Sequence, residues 1–129
     1  MSPDDDALPV LDHVQVAAPP GCETRARRFY AELLGLVEID KPAALGARGG
    51  VWFALGRGAQ LHVGVADDFA PALKAHPALR IATVARLEMV GRRLAAVGAP
   101  VAWDSGLPGV RRFFTTDPFG NRLELLALG

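Results

Sequence analysis

Three residues in this sequence have side chains able to hold a divalent metal ion together: His13, His62 and Glu124. Two imidazoles and a carboxylate bind such an ion from one side and leave its other positions open to water, substrate or oxygen, a donor set suited to Fe, Mn, Zn or Ni. They stand 49 and then 62 residues apart, so no local motif joins them and only a fold can bring them together. The competing reading is structural, with His13 and His62 as half-buried strand histidines and Glu124 paired with Arg122 or Arg112.

The elements that must position them follow from hydrophobic periodicity. Val10 to Ala17 reads as a strand ended by Pro19, Pro20 and Gly21. A helix follows with Ala26, Phe29, Tyr30, Leu33 and Leu34 on one face, ending at Gly35. Strands are expected at Leu36 to Asp40, Gly50 to Leu55 and Ala59 to Val65, the last two joined by Gly56-Arg57-Gly58. The same order then recurs: a strand over Leu79 to Val84, a helix with Leu87, Val90, Leu94 and Val97 on one face ending at Gly98, and further strands. The chain is therefore read as α+β, two tandem βαβββ modules forming a curved, cup-shaped mixed sheet with helices outside. An acidic tail spans 1–8 and a single domain spans 9–129. Module one covers about 9–66, a linker holding Pro71 and Pro77 about 67–77, and module two about 78–129.

Side chains alternate along a strand, so Leu61, Val63 and Val65 face the helix while Gln60, His62 and Gly64 face away. By the same alternation His13 and Gln15 oppose Val14 and Val16, and Glu124 opposes Leu123 and Leu125. All three candidate ligands thus point to the open face. Arg80, Arg112, Phe114, Trp52 and Gln15 are expected there as substrate-binding residues, a wall of aromatic area with cations that suits a small, partly apolar anion. Arg80 is also a candidate to hold a carboxylate or enolate oxygen of the substrate; the alternative is a surface arginine. His76 is read as a linker residue, Tyr30 as core and Cys22 as a buried, inert thiol.

Three blocks carry a family resemblance: Leu11-Asp12-His13-Val14-Gln15-Val16, Phe29-Tyr30-Ala31-Glu32-Leu33-Leu34-Gly35-Leu36, and Asp117-Pro118-Phe119-Gly120-Asn121-Arg122-Leu123-Glu124. With them the chain resembles, over nearly its whole length, the vicinal oxygen chelate superfamily of glyoxalase I, extradiol dioxygenases, fosfomycin resistance enzymes and bleomycin resistance proteins. The resemblance implies paired modules around a metal cup, a homodimer, and ligand places at His13, His62, Arg80 and Glu124. Arg80 departs from the pattern, because arginine is always protonated and has no lone pair to give a metal. Glyoxalase I activity is therefore doubtful, and the remaining two-His, one-Glu set resembles that of the extradiol dioxygenases.

Two functions follow as expectations. The first is a divalent-metal-dependent enzyme, a lyase or dioxygenase, acting on a small, partly apolar anionic or vicinal-oxygen substrate by enolate or dioxygen chemistry, with Glu124 and Arg80 catalytic. The second is a metal-free small-molecule binding protein of the bleomycin-resistance type. The arginines on the predicted cup argue against a cationic ligand. Fourteen Lys plus Arg against fourteen Asp plus Glu leave no basic excess for nucleic acid. A single cysteine and the lack of a long apolar run point to a cytoplasmic protein without membrane attachment.

Overall fold

The structure is a computed structural model and describes residues 7–129, so residues 1–6 of the acidic tail lie outside the described residues. Strand β1 (His13–Ala18) leads into helix α1, whose first turn (Glu23–Ala26) widens into π turns over Arg27–Leu33. Strand β2 (Val37–Ile39), a 3-10 segment (Ala43–Arg48), β3 (Val51–Ala54) and β4 (Gln60–Val65) complete the first module. The second repeats the plan with β5 (Ala78–Arg80), α2 (Val84–Ala96), β6 (Ala102–Asp104), β7 (Val110–Thr116) and β8 (Arg122–Leu128). Each module is a four-stranded mixed sheet, ordered β1-β4-β3-β2 and β5-β8-β7-β6, in which the first and last strands run parallel and the others antiparallel.

The two βαβββ modules are as expected, their strands forming two four-stranded sheets. One difference is local. The expected strand over Leu79 to Val84 stops at Arg80, because Thr83 is the N-cap of α2 and its hydroxyl accepts the Arg86 backbone N–H at 3.1 Å. The β-branched residues Ile81, Thr83 and Val84 give that stretch a strand-like composition, but the cap decides it.

Alternation divides each strand between two faces. Val16, Val51, Phe53, Leu61 and Val63 are buried on the helix side of the first sheet, and Phe113, Leu123, Leu125 and Ala127 on that of the second. Phe29 and Tyr30 from α1, and Leu87, Val90 and Leu94 from α2, complete the same core. Each such large side chain contributes about 1.5–3 kcal/mol through burial.

Polar contacts fix one module against the other. The buried Tyr30 hydroxyl donates to Asp117 Oδ2 at 2.7 Å, and burial with the adjacent carboxylate raises its pKa well above the usual tyrosine range. Asp117 Oδ1 accepts the Phe119 and Asn121 backbone N–H groups at 2.9 Å each, closing the Asp117-Pro118-Phe119-Gly120-Asn121 turn. Asn121 Nδ2 donates to Asp117 Oδ2 at 2.9 Å and to the Ala17 carbonyl of β1 at 2.7 Å, while its Oδ1 accepts the Ala72 N–H at 3.0 Å. The turn that launches β8 therefore also locks β1, α1 and the linker to the second sheet.

Candidate metal and substrate centre

The open face of the first sheet carries a column of three rings. Trp52 and His62 are cross-strand partners on β3 and β4 and stack at 3.7 Å, nearly parallel. His13, diagonal to His62 across the β1–β4 ladder, stacks on its other side at 4.3 Å. Each imidazole is oriented by a neighbour: His13 Nδ1 donates to Asp12 Oδ2 and His62 Nε2 to Gln60 Oε1, both at 2.8 Å. Those bonds leave His13 Nε2 and His62 Nδ1 with lone pairs, the arrangement that outer partners give to metal-binding histidines. His62 is 5% exposed, and burial, then the proximity of His13 and Lys41 opposed by Asp12, holds its pKa below the ordinary value. Burial thus disfavours the charged ring, and the neutral imidazole is the form that ligates metals.

The open face of the second sheet carries a different cluster. Glu124 is 8% exposed and its two oxygens are used separately: Oε1 lies 3.2 Å from His76 Nε2, and Oε2 accepts from Arg112 Nη1 at 3.3 Å. Arg112 Nη2 also donates to Asp104 Oδ2 at 3.1 Å, while its buried Nε has no partner among the described residues. Phe114 lies under the guanidiniums of Arg112 and Arg122, at 5.2 and 4.3 Å, and against the edge of His76.

His76 Nδ1 donates to the Lys74 carbonyl at 3.0 Å, which orients the ring and leaves Nε2 facing Glu124 Oε1. The 3.2 Å separation is that of an ion pair, and with an ion bound the two side chains would offer it one imidazole and one carboxylate donor. The donor chemistry thus fits a divalent ion as two pairs, His13 with His62 and His76 with Glu124. Among the described residues, no three His, Cys, Asp or Glu side chains are grouped to hold one.

The other sequence candidates are placed as follows. Gln15 lies beside His62, its side chain resting on Gly64, where a Cβ would come within 2.8 Å of the Gln15 amide carbon. Phe114 and Arg112 share the Glu124 cluster, and the Glu124–Arg112 pair of the structural alternative is present. Arg80 is exposed, stands opposite Leu126, and lines a cleft with Arg57, away from the Glu124 contacts. The side chain that reaches Glu124 from this part of the chain is His76, read from the sequence as a linker residue. Residues 76, 78 and 80 share the alternation of β5, and the Pro77 carbonyl accepts the Glu124 N–H at 3.0 Å, so the ladder begins earlier than Pro77 suggests. Tyr30 and Cys22 are buried as expected, and burial raises the Cys22 thiol pKa.

Paired βαβββ modules with imidazole and carboxylate donors on their open faces define a protein of glyoxalase-type architecture. Similar solved structures agree. A glyoxalase family protein from Bacillus anthracis is 43% identical, with a TM-score of 0.87 over 95% of this chain and 97% of that one. The chain belongs to the glyoxalase family. Lactoylglutathione lyase from Agrobacterium tumefaciens (19% identity, TM-score 0.70, 94% and 95% of the two chains) shares the fold. So does a fosfomycin resistance protein from Listeria monocytogenes (18%, 0.71, 95% and 95%). No family model matches the chain, and no curated protein matches it significantly.

Proposed function

We propose that this chain is a divalent-metal-dependent enzyme whose centre is shared between two copies. His13 and His62 of one copy would hold the ion together with His76 and Glu124 of the other. The observation that carries this reading is the division of the donors into two oriented pairs on two separate open faces, too few in either place for a complete site. A twofold dimer that sets the first sheet of each copy beside the second sheet of its partner would complete two equivalent sites.

A bound ion supplies Lewis acidity toward two neighbouring oxygens of a substrate. The chain's own residues would do the rest. Trp52 and Phe114 provide apolar walls that exclude water, and Gln15 offers an amide to orient the substrate. Arg112, anchored by Asp104 and Glu124, fixes the Glu124 carboxylate and keeps positive charge near any oxygen that gains electron density. The substrate class is a small, partly apolar anion or vicinal-oxygen compound, and the reaction class is enolate or dioxygen chemistry. With His76 rather than Arg80 beside Glu124, the objection to a glyoxalase-type lyase that rested on a cation at that place loses its basis.

The test is elemental analysis of protein purified without chelators, compared with Glu124→Ala and His76→Ala. Near-stoichiometric Fe, Mn, Zn or Ni in the parent, lost in both variants, supports the reading. No metal in the parent, even after incubation with these ions, overturns it in favour of a metal-free binding protein.

A further inference from the structure

Beside the ring column, the first sheet holds a concavity of about 200 Å³. Its floor is Gln15, Gly64 and Trp52, and its rim comes from Lys41 and Arg48, which bracket the 3-10 segment Ala43–Arg48. We propose that this concavity is a recognition subsite for the carboxylate of an organic anion whose apolar body lies against Trp52, an assignment that deepens the functional reading above by naming its substrate class.

The charge balance is the first argument. Two cationic side chains line the space; the Glu23 carboxylate, which lies against Gly49 at its edge, is engaged by the Gly50 N–H at 2.7 Å, and neither Lys41 nor Arg48 forms an ion pair among the described residues. The Lys41 ammonium donates to the Gly49 carbonyl, which closes the segment back on itself and holds the charge at the rim without neutralising it. Two like charges facing a shared concavity repel, and an entering anion relieves that repulsion.

Shape is the second. A space of this size takes the end of a ligand rather than a whole one, since complete small-molecule sites usually span about 300–1,000 Å³. Glycine at position 64 is what opens it: a Cβ there would displace the Gln15 side chain that forms part of the floor. The guanidinium fork of Arg48 matches a carboxylate, the Gln15 amide can add a donor, and Trp52 continues the floor toward His62. An anionic end group placed here extends its body along Trp52 toward the imidazoles.

The subsite can be tested in the full chain by ¹⁵N NMR, following the Trp52 indole N–H with Trp103 as internal control. Phenylacetate is the anionic probe and 2-phenylethanol its neutral counterpart. The Trp52 signal should move saturably with phenylacetate and much less with the alcohol. Arg48→Gln and Lys41→Gln should each weaken phenylacetate binding about tenfold, equivalent to ~1.4 kcal/mol, while Arg48→Lys retains part of the affinity. An equal response to the alcohol, wild-type affinity in both Gln variants, or no Trp52 response up to the solubility of phenylacetate overturns the proposal. Metal content of the same samples separates this result from the shared-centre reading: the Gln variants should carry the parent's metal, and a metal-free parent leaves the titration just as readable.

Discussion

Replacing Tyr30 with Phe removes one oxygen and leaves the ring in place, which isolates the bond that ties α1 to the second module. The hydroxyl is buried and donates to Asp117 Oδ2 at 2.7 Å. A hydrogen bond to a charged group contributes about 1.5–3 kcal/mol. The carboxylate keeps donors from Phe119 N, Asn121 N and Asn121 Nδ2, so it is not stranded in the variant. The loss should therefore lie toward the middle of that range, about 2 kcal/mol, within a total of about 5–15 kcal/mol for a domain of this kind. In urea the midpoint should fall by about 1 M with an unchanged slope. Asn121→Ala removes a second donor to the same Oδ2, so a double-mutant cycle between the two should show coupling of at least about 0.5 kcal/mol. A Tyr30→Phe effect below about 0.5 kcal/mol, or strict additivity in the cycle, would refute the assignment of Asp117 as the shared anchor of the two modules.

Other predictions concern the entry to β3 and the electrostatics around it. Gly50 has φ +90°, and a Cβ there would meet the Val63 carbonyl oxygen at 2.2 Å, so Gly50→Ala should destabilise the protein by more than ~3 kcal/mol or abolish soluble expression. Wild-type-like thermal unfolding would contradict this. Glu23 accepts the Gly50 N–H at 2.7 Å, and that bond, with others at the start of α1, holds its pKa below the usual carboxylate value. Because the native pKa is the lower one, this stabilisation is present above the unfolded-state value and is lost as the pH falls through the native pKa. Glu23→Gln should cost about 1 kcal/mol at pH 7, and the gap to wild type should close in acid; a gap independent of pH would show that the charge plays no part.

Much of the fold is legible because strand alternation and helix periodicity specify which face each residue takes. Leu61, Val63, Leu123 and Leu125 are buried for that reason, and His62 and Glu124 turn the other way. Alternation does not specify how two sheets are set relative to one another. That is decided by contacts such as Tyr30 with Asp117 and Asn121 with Ala17, 87 and 104 residues apart, which no local pattern announces. His76 was hidden by Pro77. Proline lacks the N–H but keeps its carbonyl, and at the start of an edge strand the carbonyl alone extends the ladder. Nothing in the sequence pattern singles out Lys41 and Arg48, and it is the 3-10 segment that puts both on one rim.

The dimeric centre is tested most directly by mixing two inactive halves. One variant lacks the imidazole pair (His13→Ala with His62→Ala) and the other lacks the second pair (His76→Ala with Glu124→Ala). Neither alone should bind metal. Unfolded, mixed in equal amounts and refolded, half of the dimers would contain one of each, with one intact site in two, so metal should return to about a quarter of the parent's content per chain. No recovery in the mixture, or full retention in either variant alone, would contradict a centre built from both copies.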